Sequence, residues 1–122
     1  MKKDLRKIVQ GEFKVTGTLW IETGELRFLG PGPVQLLQLI EDTGSINQAA
    51  KAMGMSYKKA SELVSRLNSQ AVTPLIITAA GGEKGGGSTI SKEAKKLMEY
   101  HQSLRDRFLR FLEKETKELN RS

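Results

Sequence analysis

The stretch from Gly44 to Asn68, GSINQAAKAMGMSYKKASELVSRLN, constrains the fold of this chain more than any other. It holds two short helical patterns, each opened by a serine and parted by a glycine. Ser45 and Gln48 stand at capping-box spacing, where the hydroxyl accepts from a free backbone N–H and the amide reaches back to the cap. Ala49, Ala50 and Met53 follow at helical intervals, and the paired alanines let another helix come close. Gly54 ends this helix, because glycine enters the left-handed region without a Cβ clash. Ser56 then caps a second helix. Its Ala60, Leu63, Val64 and Leu67 fall at i, i+3, i+4 and i+7, which is one face.

Two short helices joined by a tight Gly-containing turn make a helix-turn-helix. At about 100° per residue, Lys58, Glu62 and Ser65 point away from the apolar face, with Ser61 on one flank and Lys59 and Arg66 on the other. Lysine donates to guanine O6 and N7, serine meets several base edges, and glutamate accepts from cytosine N4. In this motif the N-terminal residues of the second helix read bases in the major groove. Ser56, Lys58, Ser61 and Glu62 are therefore the candidate base contacts, with Tyr57 and Lys59 on phosphates. Ser45 and Gln48, at the head of the first helix, belong to the same candidate surface. A charged outer face also occurs on amphipathic helix pairs that never touch nucleic acid.

A second feature follows at once. Leu75, Ile76 and Ile77 form a β-type run after Pro74, and Thr89 and Ile90 resume it. Between them Gly81, Gly82, Gly85, Gly86 and Gly87 surround Glu83 and Lys84. The simplest expectation is a hairpin, or wing, with a tip poor in side chains. Backbone N–H groups of Gly85 and Gly86 and the Lys84 ammonium can meet phosphate oxygens there. A disordered surface loop is the alternative for such a tract. A nucleotide phosphate loop is not indicated, because Gly87 stands where G-x-x-x-x-G-K-[ST] requires lysine.

Charge supports a polyanionic partner. The 122 residues carry a net charge of +6. Residues 1–44 hold six basic and six acidic side chains, whereas residues 45–96 hold eight basic and three acidic, so the excess coincides with the helix pair and wing. Cysteine is absent and His101 is the only histidine, which leaves no thiolate or histidine cluster for a metal. No nucleophile–base pair is apparent, so neither catalysis nor a cofactor is expected. No apolar run approaches the ~20 residues of a membrane span, and no signal peptide is visible. A cytoplasmic protein is the expectation.

The flanks complete an α+β, mostly α, winged helix-turn-helix. Residues 1–30 are expected to form an N-terminal extension with a β-hairpin over Gly11 to Leu29, turning at Thr23–Gly24. Residues 31–90 are the winged domain, whose first helix starts at Pro33, buries Leu36, Leu37, Leu39 and Ile40, and stops at Gly44. Residues 91–122 form one long helix capped by Ser91. Its Leu97, His101, Leu104, Phe108, Phe111 and Leu112 recur at steps of three and four, over roughly 40–45 Å. A domain of this size cannot cover that stripe alone, and a second copy is the economical partner.

The segment LGPGPVQLLQLIEDTGSINQAAKAMGMSYKKASELVSRLN, followed by PLIITAAGGEKGGGSTIS, resembles the N-terminal winged-helix domain of ModE-type molybdate-responsive transcription regulators. It is similar, more distantly, to the DNA-binding head of LysR-type regulators. The resemblance implies that the helix opening at Ser56 is the recognition helix, that Gly81–Gly87 is the wing, and that the long helix joins a homodimer. Full regulators of this type carry C-terminal molybdate-binding domains; no such domain is expected between the long helix and Ser122. The expected function is sequence-specific regulation on double-stranded DNA by a homodimer. An architectural DNA-coating protein and a winged-helix protein-interaction module are the alternatives.

Overall fold

The computed structural model describes residues 5–79 and 87–121. A short 3-10 turn, Leu5–Lys7, precedes an extended segment. A small hairpin follows, β1 (Ile21–Thr23) and β2 (Leu26–Leu29). Three helices come next: α1 (Pro31–Thr43), α2 (Ile46–Met53) and α3 (Tyr57–Ser69). A second hairpin, β3 (Ile76–Thr78) and β4 (Ser88–Ile90), leads into α4 (Lys92–Arg121). Both two-stranded sheets are antiparallel and separate from one another.

The core gathers around α1. Leu36, Leu37 and Ile40 have no exposed surface, and α1 touches α2, α3, β2 and β4. The α2 and α3 helices meet it through Ile46, Ala49, Ala50, Ala60, Val64 and Leu67. Three of these are alanines with zero exposure, which is why the helix axes approach closely. Leu75, Ile76, Ile90 and Ala94 close the core from the wing and the start of α4. Gly44 ends α1 at φ +71° and Gly54 ends α2 at φ +71°, as their positions imply.

Polar clamps join the wing to this core. Asn68, in the last turn of α3, accepts from the N–H groups of Leu75 at 2.8 Å and Ile76 at 3.0 Å. Its amide donates to the Ile76 carbonyl at 3.1 Å. On the other strand, the Ser88 N–H donates to the Gly44 carbonyl at 2.8 Å. Each wing strand is thus tied to the end of a different helix.

Two local expectations need correction. The N-terminal hairpin is shorter than Gly11 to Leu29, since only Ile21–Thr23 pairs with Leu26–Leu29. The preceding residues pair with α4 instead. The Phe13 N–H and carbonyl bond reciprocally to the Asn120 amide at 3.0 and 2.9 Å, and the Val15 N–H donates to Thr116 Oγ1 at 2.9 Å. Side-chain amides on a helix take the place of a partner strand. The second correction concerns the α2 cap. Ser45 Oγ accepts from Gln48 N–H at 3.1 Å as expected, but the Ser45 N–H is met by Thr43 Oγ1 at 3.2 Å and not by the Gln48 side chain. The nearer hydroxyl, two residues back, meets that donor and leaves Gln48 exposed.

Asn68→Ala strips three backbone partners from a half-buried position. It should lower stability by about 1–3 kcal/mol. A urea titration would show a lower midpoint with an unchanged slope. An unchanged midpoint would mean that the wing is held by burial alone.

Candidate nucleic-acid interface

The turn between α2 and α3 is closed by backbone bonds. The Gly54 N–H reaches the Ala50 and Lys51 carbonyls, and the Met55 N–H bonds the Ala50 carbonyl at 3.0 Å. That wrapping satisfies the last carbonyls of α2 and reverses the chain within two residues. Ser56 then opens α3, its Oγ accepting from the Lys59 N–H at 3.1 Å. The apolar face of α3 is fixed by Ala60, Val64 and Leu67, so the rotation of the helix about its axis is set by the core.

That rotation decides what solvent meets. Ser56, Tyr57, Lys58, Lys59 and Glu62 are exposed, whereas Ser61 is half-buried. Tyr57 is 54% exposed, a large ring held at the surface beside two lysines. On α2, Gln48 is exposed and Ser45 half-buried. Lys51 in the last turn of α2 and Arg66 in that of α3 are exposed as well. Among the described residues, Lys51, Lys58, Lys59 and Arg66 carry no ion pair, so these cations are uncommitted. The second helix therefore offers an outward hydrogen-bonding and cationic surface at its N-terminal half. Lys51 was not singled out in the sequence, although an exposed basic residue beside a C-terminal glycine is a legible signal.

The wing lies next in the chain. Its ladder pairs Ile76 with Ile90, Ile77 with Thr89 and Thr78 with Ser88, and the Ala79 N–H extends it to the Gly87 carbonyl at 2.8 Å. Ser88 and Ile90 point inward, while Ile77 and Thr89 face out. The tip residues Lys84, Gly85 and Gly86 lie outside the described residues. The ladder places the two ends of that tip side by side.

The six residues expected on a subunit interface are distributed unevenly. Leu97, Leu104, Phe108 and Leu112 are half-buried and Phe111 is exposed. Leu112 lines a groove with the extended N-terminal segment, which packs along this part of α4. His101 is buried within its own chain, with 3% of its surface exposed, and does not itself face outward. Its Nε2 finds no hydrogen-bond partner among the described residues. Burial, followed by the charge of Arg105 one turn away, holds its pKa below the ordinary value of 6.5. No helix among the described residues is long and apolar enough to cross a membrane.

No protein-family model matches the chain. Individual relatives do. The chain is 33% identical over 87 residues to the molybdenum transport protein ModE of Azotobacter vinelandii, an alignment covering 71% of this chain and 32% of that protein. It is 36% identical over 86 residues to the transcriptional regulator ModE of Haemophilus influenzae, covering 70% and 34%. It is 34% identical over 77 residues to the DNA-binding transcriptional dual regulator ModE of Escherichia coli, covering 63% and 29%. The chain spans about a third of the length of the curated relatives it matches.

The depressed pKa of His101 has a consequence for stability. As pH falls, the unfolded chain takes up the proton before the folded one does. The stability that neutral His101 contributes is complete above about 6.5 and is lost progressively below it. Thermal unfolding between about pH 7.5 and about pH 5 should therefore show a shallower decline for His101→Gln than for the parent. Equal slopes would place the imidazole in a solvated setting.

Proposed function

We propose that this chain, a relative of ModE-type regulators over about 70% of its length, is a DNA-binding transcription regulator that reads specific sequences as a homodimer. The observation that carries the reading is the outward face of α3, where Lys58, Lys59 and Glu62 are exposed and the two lysines are free of ion pairs among the described residues. The helix N-terminus adds a backbone contribution, since its free N–H groups and dipole favour phosphate.

The proposed mechanism assigns each exposed residue a role by its chemistry. The N-terminal half of α3 enters the major groove. Lys58 and Glu62, one helical turn apart, reach base edges, with Ser56 and Ser61 beside them. Tyr57 and Lys59 lie on the adjoining phosphate backbone, and Lys51 and Arg66 widen the cationic margin. Lys84, Gly85 and Gly86, which lie outside the described residues, are assigned the neighbouring phosphate backbone on their chemistry, since small residues let N–H groups approach and lysine adds a cation. Two copies present two such heads, so the bound sequence has two related half-sites. Sequence reading and backbone anchoring thereby fall to different residues, which makes them separable by mutation.

Selection of bound fragments from a random duplex pool tests the reading directly. A shared motif with two related halves is the expected outcome; recovery of unrelated fragments would favour an architectural protein that coats DNA. Lys58→Ala should cost about 1–3 kcal/mol of discrimination at one base pair. Lys59→Ala should weaken all duplexes alike and reduce the salt slope of log K by about 0.9. Equal losses on specific and random DNA for Lys58→Ala would remove it from base reading.

A further inference from the structure

The extended segment ahead of β1 has two backbone edges, and the fold uses one of them. The Phe13 N–H and carbonyl and the Val15 N–H all turn toward α4, where Asn120 and Thr116 meet them. Contacts at alternate residues are the two-residue period of a β-strand. The backbone groups of Lys14 and Thr16 therefore turn the opposite way. They have no hydrogen-bond partner among the described residues, and both residues are exposed. The segment is also held in place. Arg6 donates to Asn120 Oδ1 at 3.1 Å, and a Cβ at Gly17 would stand 3.0 Å from Phe108 Cζ, so the chain lies close on that ring. A fixed edge with free donors and acceptors is a template for another strand. Fixing it in advance lowers the ordering cost of binding.

Between this segment and α4 lies a groove of about 550 Å³, with Val15, Leu109 and Leu112 among its apolar lining. Leu109 is 41% exposed there. Farther round the helix stand Arg110, Lys114, Lys117 and Arg121, at i, i+4, i+7 and i+11, which is one face. All four are exposed, and none carries an ion pair among the described residues. Lys117 also lines the groove, as do Lys14 and Glu113. The stripe begins about 24 Å along the axis beyond Ala94, where α4 closes the core.

We infer that the open edge at Lys14 and Thr16, the leucine-floored groove and the cationic stripe form one docking site for an extended acidic peptide segment of a partner protein. The peptide adds as a strand, its backbone pairing with residues 14 and 16. An apolar side chain enters the groove over Leu109 and Leu112, and the long arginine and lysine side chains of the stripe reach its carboxylates. These elements lie outside the proposed DNA-reading head. A nucleic acid would meet the cations equally well, but its phosphates have no donor for the Lys14 and Thr16 carbonyls and nothing apolar for the groove. A second copy fits poorly on charge. Each chain carries +6, and joining two such edges would bring two basic stripes to one seam. An acidic strand meets the donors, the acceptors, the apolar floor and the charge together.

Fluorescence anisotropy of a labelled peptide of about six residues, valine alternating with aspartate or glutamate, tests the site on the full chain. The acidic peptide should bind in the micromolar range, and the same peptide with lysine for its carboxylates should not. Methylating the peptide's amide nitrogens one at a time should abolish binding at alternate positions and be tolerated between them, the signature of strand pairing. Thr16→Pro removes one free N–H and should weaken binding about 5-fold. Its circular dichroism and thermal midpoint should not change, because that N–H has no partner in the fold. Arg110→Glu combined with Lys117→Glu, both on the surface, should weaken binding about 10-fold at low salt. Absence of acidic-peptide binding at about 100 μM, or equal losses from methylation at every position, would overturn the site. Displacement of the peptide by random duplex DNA would assign the stripe to nucleic acid instead. Dissociation of a dimer by Thr16→Pro in sedimentation would assign the edge to a second copy, and either result overturns the proposal.

Discussion

Burial of the inner face of α1 is the constraint on which the rest of the molecule stands. Leu36, Leu37 and Ile40 have no solvent contact, and every element that presents a candidate DNA contact packs directly or indirectly on them. Fully burying such side chains contributes roughly 1.5–3 kcal/mol each. The contribution to function is geometric. With α2 and α3 seated on α1 through alanines, their separation is small and their relative angle is fixed. The outward face of α3 is then whatever remains after Ala60, Val64 and Leu67 have been buried.

Where the core supplies orientation, polar groups supply registration. The wing strands are short, and three residues on each side would hold a hairpin poorly in water. The Asn68 side chain and the Gly44 carbonyl tie their backbone to the ends of α3 and α1. Both ties are made at helix ends, where backbone or side-chain groups are free to reach outward. The paired strands of this hairpin consequently follow the ends of α1 and α3.

The long helix illustrates how one amphipathic stripe can serve several neighbours. Its first turns close the core at Ala94, its far end is held by the N-terminal segment through Asn120 and Thr116, and the flank between carries exposed aromatic rings. Exposed apolar surface on a chain of this size is expensive unless something covers it. The flank facing away from both α1 and the N-terminal segment is therefore where the chain has reason to find a second copy of itself. In the proposed homodimer, two heads held by one symmetric contact would gain affinity from being linked, with no new contact to DNA.

Local signals settled much of this protein. Ser45, Ser56 and Ser91 cap helices where their spacing requires, and Gly44 and Gly54 end them, because caps and left-handed residues act over three or four positions of chain. The three-and-four pattern from Leu97 onward marked α4, and the exposure of Lys58, Lys59 and Glu62 followed from helical periodicity alone. Tertiary contacts decided the rest. Nothing local told that residues 11–20 would abandon their hairpin for the Asn120 amide, a hundred positions away in the chain. Nor did periodicity distinguish His101, buried in its own chain, from Phe111, left in water: both lie on one stripe, and which side of that stripe is covered depends on where α1 and the N-terminal segment come to rest. Asn68 likewise looked like any polar residue at a helix end until the fold brought β3 within reach of its amide. Short-range rules follow covalent geometry and are written in sequence order, whereas coverage of a surface is set by elements that only folding brings together.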